Sequence, residues 1–109
     1  MIVTTYCGDA YNGENLAPTT ATKITRSILI DTAANGKMPA KAALISVEAN
    51  TINYTIDGRT PTAAAGTNIG HYLVAGESIL IIGSPAVHNF TCIDRVAGSA
   101  SVVKVTLFK

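Results

Sequence analysis

The chain has 109 residues, of which 48% are hydrophobic, and this composition is typical of a single globular domain with its own core. The formal net charge is +1 and there is no basic run, which argues against nucleic-acid binding because phosphate contacts require a basic face. Charged residues make up only 14% of the chain, against about 25% in typical soluble proteins. We therefore expect either a neutral, threonine-rich surface or a surface that partners cover in part.

The first residues, M-I-V-T-T-Y-C-G-D, contain no targeting signal that we recognise. They have neither a basic region nor a continuous apolar stretch, so they do not resemble a secretory signal peptide. No run in the chain approaches the roughly 18 apolar residues of a membrane-spanning helix. We expect synthesis in a cytoplasm, no membrane association, and free thiols at Cys7 and Cys92.

The predicted elements start with a short strand over residues 2–7. Residues 8–21 show no periodicity and contain Gly, Asn, Pro and Thr, which is typical of irregular structure. We interpret residues 1–22 as an N-terminal arm or loop that contains this one short strand.

After the arm, apolar residues alternate with polar ones at a period of two, and many are β-branched, which predicts strands. The predicted strands are residues 23–31, 42–48, 52–57, 78–83, 90–93 and 103–108. The run at 78–83 is apolar on both faces. We expect one of its faces to fill the core and the other to meet a partner or an overlying loop.

Turn residues separate the predicted strands. They occur at Asn35-Gly36, Ala49-Asn50, Asp57-Gly58, Ala75-Gly76, Gly83-Ser84-Pro85 and Ala97-Gly98. Residues 47–52 read as a tight hairpin, residues 31–40 as a second irregular stretch, and no long helix is predicted. The pattern favours one all-β domain over residues 1–109: an antiparallel, jelly-roll-like β-sandwich of about seven to eight strands with an irregular N-terminal arm.

The sequence contains no strong catalytic or metal-binding motif. His71 and His88 are far apart and no pair of ligands has zinc spacing. There is no nucleophile elbow and no phosphate-binding loop. A calcium loop near Asp9 and Glu14, and a pair of Cys7 with a histidine, remain open as minor alternatives. We expect a protein that is not an enzyme, with no cofactor and no metal.

The segment Y-T-I-D-G-R-T-P-T-A-A-A-G, residues 54–66, offers an acid and a base close together. Asp57-Gly58 fits a tight turn, and Pro61 prevents a central strand from continuing. We interpret the end of this segment, residues 60–66, as a flat crossing of small residues between strands. It is also a candidate contact with a neighbouring subunit.

Residues 45–62, I-S-V-E-A-N-T-I-N-Y-T-I-D-G-R-T-P-T, are followed by Gly66, by Gly76-Glu77 and by Phe90. A strand ending in Asp-Gly, then Pro-Thr, then Gly, and later a Gly-acid pair before an apolar strand resembles small structural proteins of tailed bacteriophages. The resemblance covers residues 42–109, and residues 1–41 do not share it.

The resemblance implies a non-enzymatic virion protein, made in the host cytoplasm, that stabilises the head as a capsid cement or decoration protein. The implied partner is the major capsid protein or another virion protein, and a homo-oligomer, expected to be a trimer, is implied as well. No catalytic, cofactor-binding or metal-binding residues come with it. The candidate assembly contacts are Ile2, Val3, Tyr6, Tyr11, Pro61, Thr62, Leu80 and Ile82.

Two other functions remain open at this point. The first is a tail, head–tail adaptor or fibre-base component, which the sequence does not separate from a capsid protein. The second is a carbohydrate-binding module, because β-sandwiches often bind sugars through exposed aromatic residues. The chain has no Trp, and its tyrosines are scattered.

Overall fold

The computed structural model describes residues 9–31, 38–63 and 70–109, and within these ranges the chain forms ten strands and one α-helix. The strands are β1 (Ala10–Leu16), β2 (Thr22–Lys23), β3 (Ile30–Asp31), β4 (Met38–Pro39), β5 (Ala42–Ala49), β6 (Ile52–Thr55), β7 (His71–Leu73), β8 (Ser78–Ile82), β9 (Thr91–Asp94) and β10 (Val102–Phe108). The helix α1 spans Ser84–Asn89, and a 3-10 turn spans Arg26–Ile28.

Two four-stranded antiparallel sheets form the sandwich. Sheet A has the order β1-β10-β5-β8 and sheet B the order β2-β9-β6-β7, while β3 and β4 form a separate ribbon. When the β3–β4 ribbon is set aside, eight strands remain, four in each sheet. They are distributed between the two sheets as in two Greek keys. This is a jelly roll. The predicted antiparallel, jelly-roll-like sandwich is therefore confirmed.

The core lies between the two sheets and is built by the alternation seen in the sequence. Ile45 and Val47 of β5 point inward, as do Val103, Val105 and Leu107 of β10. Sheet B contributes residues from its own inner face, and these include the fully buried side chains Ile52, Phe90 and Cys92. Because opposite residues of paired strands share a face, the polar residues between them are directed to the outer surfaces.

The interpretation of residues 8–21 as irregular was wrong for half of that stretch. Residues 10–16 form β1, which pairs with β10, with a register shift between Ala10 and Asn12. Leu16 and Pro18 are buried. The strand escaped detection because an edge strand with Asn, Gly and Glu carries little apolar alternation. The predicted strand at residues 2–7 lies outside the described residues.

The predicted strand at residues 23–31 is also corrected. It is broken by the 3-10 turn that begins at Arg26, and only its two ends pair with other strands, as β2 and β3. The Glu14 carboxylate accepts hydrogen bonds from the Thr25 backbone N–H and hydroxyl, both at 2.8 Å. A side chain from β1 thus takes the place of a neighbouring strand at this position.

Residues 47–52 do not form the predicted hairpin. They connect β5 in sheet A to β6 in sheet B, so the chain crosses from one layer to the other. Asn50 adopts φ 62° there, a left-handed conformation that Asn tolerates. Its Nδ2 donates to the Ser99 carbonyl at 2.6 Å, which ties this corner to the loop before β10.

The turn predicted at Gly83-Ser84-Pro85 continues into α1, with Pro85 in the first turn, where its missing N–H costs nothing. Val87 is fully buried and fills the end of the sandwich. The helix has six residues and is the one α-helix of the described ranges. None of the helices in the described ranges is long and apolar enough to cross a membrane.

Candidate assembly surfaces

The outer face of sheet A changes from polar to apolar along the strands. At one end, the register aligns Ser78, Ser46 and Lys104, and Lys104 contacts Glu48 at 3.6 Å. The next row contains Leu80 beside Leu44. The last row crosses the sheet as Ile82, Ala42, Phe108 and Ala10.

We call Ile82, Leu80, Leu44 and Phe108 the Ile82 patch, which lies around the buried Ala42. Ile82 is 62% exposed, whereas Leu44, Leu80 and Phe108 are half-buried and Ala42 is fully buried. The inward residues Ile79 and Ile81 of the same strand face the core. The expectation that β8 has one core face and one outward apolar face is therefore confirmed.

The outer face of sheet B carries a different surface. Tyr72, Asn53 and Ile93 form one row across β7, β6 and β9. The Arg95 guanidinium lies 4.8 Å from the centre of the Tyr72 ring, and its Nη1 donates to Asn53 Oδ1 at 2.9 Å. We call Tyr72, Arg95 and Asn53 the Tyr72–Arg95 platform.

The platform holds a positive charge in a fixed position. Asn53 is fully buried and Tyr72 is 60% exposed. The ion pairs within the described ranges are Asp57–Arg59 and Glu48–Lys104, so no carboxylate there neutralises Arg95. An exposed aromatic ring beside an oriented guanidinium is typical of the residues that dominate binding energy at interfaces.

Sequence reasoning missed the platform. Asn53 and Arg95 are 42 positions apart, and only the pairing of β6 with β9 brings them together. One signal was present, because Asn is depleted in strands and yet occurs in the middle of the predicted strand at residues 52–57. An amide in that setting indicates a side chain with a specific partner.

In its described part, the segment at residues 54–66 forms a turn and then a stretch that lies over the outer face of sheet B. Gly58 has φ 89°, and the Asp57 carboxylate accepts from the Arg59 backbone N–H at 3.1 Å and from its Nε at 2.8 Å. The backbone hydrogen bond, with the guanidinium contact, lowers the pKa of Asp57. Both side chains are at least half exposed, so this acid and base form a surface turn.

Residues 60–63 then fold back over the outer face of sheet B. Asn53 Nδ2 donates to the Thr62 carbonyl at 2.8 Å, and the Thr55 hydroxyl donates to the Arg59 carbonyl. Pro61 is fully buried. The predicted flat crossing spans residues 60–66, of which residues 64–66 lie outside the described ranges.

The structure places the candidate assembly contacts in different environments. Leu80 and Ile82 belong to the Ile82 patch, and Thr62 is exposed. Pro61 must be withdrawn, because a side chain buried in its own fold has no surface to offer a partner. Tyr11 is half-buried and its hydroxyl donates to the Ile28 carbonyl at 2.6 Å, so it joins β1 to the 3-10 turn. The candidates Ile2, Val3 and Tyr6 lie outside the described residues.

Two titratable groups of the described ranges, Asp94 and Cys92, are fully buried. No group of three His, Cys, Asp or Glu residues is placed to hold a metal there. Asp94 is fully buried, and its Oδ1 accepts from the Ser101 backbone N–H at 3.1 Å, which closes the loop before β10. Burial, with the nearby Asp94 charge, raises the pKa of the Cys92 thiol to about 12, so the thiol stays protonated at neutral pH.

Cys92 is expected to be unreactive in the folded protein. Its raised pKa stabilises the fold fully below the unfolded pKa of about 8.5, and this contribution is lost as the pH rises towards about 12. In a Cys7→Ser variant, an aromatic disulfide reagent at pH 8 should label no thiol until denaturant is added, and then one. Rapid labelling of the native protein would contradict the buried placement.

Comparison of the chain with protein-family models, with curated proteins and with solved structures finds no match in any of the three. The function must therefore be argued from the two surfaces and from the fold.

Proposed function

We propose that the protein is a non-enzymatic structural component of a tailed-bacteriophage virion, and that it is a capsid cement or decoration protein. The observation that carries this proposal is the Ile82 patch. An uncharged apolar area on the outer face of a sheet, with Ile82 62% exposed, is suited to bury against another folded protein. The chain's low charge content agrees with a surface that partners cover.

The fold and the sequence resemblance support the proposal together. Jelly rolls occur in viral capsid proteins, and also in lectin domains and cupins. Because a fold alone does not determine function, the resemblance of residues 45–62 to small phage structural proteins is what favours the virion among these. The proposed partner is the major capsid protein, and the homo-oligomer that the resemblance implies stays a prediction.

The physical role would be to bridge capsid subunits. Burial of apolar surface contributes roughly 25 cal/mol per Å², so one small patch gives only modest affinity. Contacts repeated over a symmetric shell, or linked within an oligomer, give much higher avidity without any new contact. A neutral, flat face is sufficient for such a role, because no reaction has to be catalysed.

We expect Ile82→Ser to weaken decoration of capsids by roughly tenfold or more, because one apolar side chain of this size contributes about 1.5–3 kcal/mol when buried. The assay mixes purified variants with particles of the phage whose genome encodes the chain, prepared without it, and quantifies bound protein. The matched control is Val96→Ser, which removes a side chain of 66% exposure in a loop outside the patch. Equal loss in both variants, or no loss in Ile82→Ser, contradicts the assignment of the patch.

The same particles separate a capsid protein from a tail component. Quantitative mass spectrometry of wild-type virions should give hundreds of copies per particle for a shell protein. Roughly six or twelve copies would indicate a tail or adaptor ring instead. Absence from purified virions would remove the proposal of a virion protein altogether.

A carbohydrate-binding module is the second candidate, and the Tyr72–Arg95 platform favours it. A ring that is 60% exposed can stack on a sugar, and the adjacent guanidinium donates hydrogen bonds to hydroxyl or carboxylate oxygens. The test is a glycan array with wild-type protein and Tyr72→Ala. A signal that disappears in Tyr72→Ala would support sugar binding, and an array without signals would dispose of it.

A further inference from the structure

The four sheet edges of the described fold differ in how they are protected against pairing. In sheet B, β2 has two residues and β7 has three. In sheet A, β1 contains Asn, Gly and Glu and has a register shift near its start. The remaining edge, β8, has five residues, S-I-L-I-I, with no charge, no proline and an unbroken register against β5. Natural proteins usually blunt such an edge with charges, bulges or short length.

The backbone hydrogen bonds between β8 and β5 show which residues of β8 direct their N–H and C=O groups away from β5. Gly83 N–H donates to the Lys41 carbonyl at 2.7 Å, and Val47 N–H donates to the Glu77 carbonyl at 3.0 Å. In an antiparallel ladder, hydrogen-bonded pairs alternate with pairs that are not bonded. Ile79 and Ile81 therefore direct their backbone groups towards β5. Leu80 and Ile82 direct theirs to the other side of β8, where none of the strands in the described ranges pairs with it.

We propose that β8 pairs with β8 of a second copy of this chain, antiparallel, about a two-fold axis that passes beside Leu80. Leu80 then lies opposite Leu80 of the second copy, and Ile82 lies opposite Ser78. The outward N–H and C=O groups of Leu80 meet each other in the geometry of a hydrogen-bonded pair. The two copies of sheet A become one eight-stranded sheet, and the interface is self-complementary, as two-fold symmetry requires.

Charge complementarity selects this register. A two-fold axis beside Leu80 places Glu77 of one copy opposite Gly83 of the other. Gly83 in turn lies opposite Lys41 of its own copy, as their hydrogen bond shows. Opposite residues point to the same face, so Glu77 and Lys41 are separated by two strand spacings, about 10 Å between Cα atoms. Both side chains are exposed and long enough to meet, and the symmetry produces two such pairs. Glu77 Oε1 accepts from the Val74 backbone N–H at 2.9 Å, so Oε2 is the oxygen that would meet Lys41.

The pairing also joins the two Ile82 patches, since Leu80 and Ile82 extend from both copies onto the same outer face. The result is one continuous apolar surface with twice the area of a single Ile82 patch. This inference does not depend on the proposed function, because the pair forms without a capsid. It describes a two-fold assembly, which the mass of the oligomer distinguishes from a trimer.

Sedimentation equilibrium of the full chain tests the pairing. We expect wild type to associate to twice the 11.3 kDa mass of the chain. Leu80→Lys should weaken the association at least tenfold, because it sets two cations opposite each other across the axis. The control is Leu44→Lys, which adds the same charge to the neighbouring strand on the same face and leaves the edge intact. Loss of association only in Leu44→Lys would mean that the faces stack, and would overturn edge pairing.

A charge exchange tests the register with two exposed side chains, Lys41 and Glu77. Lys41→Glu alone and Glu77→Lys alone should each weaken the dimer, because each places like charges together. The double variant should restore it to within about twofold of wild type. A wild-type monomer at 100 µM, a trimer, or a double variant no better than the single ones would each overturn the proposal. Circular dichroism confirms that every variant compared is folded.

Discussion

Replacing Asn53 by alanine is expected to lower the free energy of unfolding by about 2 to 3 kcal/mol. The side chain is fully buried, and it joins three parts of the fold. Its Nδ2 donates to the Thr62 carbonyl and its Oδ1 accepts from Arg95. Alanine removes both hydrogen bonds and leaves space beneath residues 60–63.

Denaturant unfolding of Asn53→Ala measures this loss directly, with Thr60→Ala as control. Thr60 is exposed in the same covering segment, so its substitution should cost less than about 0.5 kcal/mol. Arg95→Ala should cost about 1 kcal/mol, and the double variant should be less unstable than the sum, because the two side chains share one hydrogen bond. An Asn53→Ala protein as stable as wild type would show that this amide does not hold the cover in place.

Gly13→Ala is expected to destabilise the protein by about 1 to 3 kcal/mol, which reverses the usual sign of this substitution. A glycine in an unhindered strand weakens it by roughly 0.5–1 kcal/mol relative to alanine, so replacement normally helps. Here a Cβ on Gly13 would lie 2.5 Å from the Val105 carbonyl oxygen, and that atom belongs to the backbone of the central strand β10. The clash can be relieved only if β1 moves away from its partner.

The measurement is thermal or denaturant unfolding of Gly13→Ala, together with amide exchange of β1. Asn15→Ala is the matched control, because Asn15 is exposed on the same strand and pairs with Lys104. We expect faster exchange at residues 10–16 in the glycine variant only. A Gly13→Ala protein that is more stable than wild type would mean that β1 does not approach β10 as closely as the structure has it.

The strands that the sequence predicted correctly are those buried on one whole face. Residues 42–48 and 103–108 alternate because Val47 and Val103 face the core while Glu48 and Lys104 face solvent. In such a strand, the periodicity of the sequence is a direct record of burial. The jelly-roll class followed from these strands and the turns between them.

The errors occurred where partners distant in sequence determine the structure. β1 is stabilised as a strand by β10, about 90 positions away, and not by its own residues. The corner at Asn50 has the residues of a hairpin turn, and only the position of each strand in its sheet tells the two apart. α1 is short and begins with Gly83-Ser84-Pro85, which also fits a turn.

Sequence analysis predicted the apolar outer face of β8, which belongs to the Ile82 patch, and missed the Tyr72–Arg95 platform. The apolar run of β8 predicted an outward apolar face, because both phases of a strand cannot enter one core. The Tyr72–Arg95 platform depends on strand register and on the turn after β9, neither of which local sequence specifies. Pro61 was a candidate contact as part of the crossing segment at residues 60–66, and its burial in the fold removes it from that set.

The position of β10 also constrains how the protein is made. Among the described strands it comes last in chain order, yet it lies in the middle of sheet A, between β1 and β5. Until β10 has been synthesised, β1 lacks its partner strand, and β5 and β8 form only part of sheet A. Folding therefore has to wait until residues 102–108 have left the ribosome. In that interval the apolar β8 segment is exposed to other nascent chains, so chaperones should influence the yield of this protein more than its final stability.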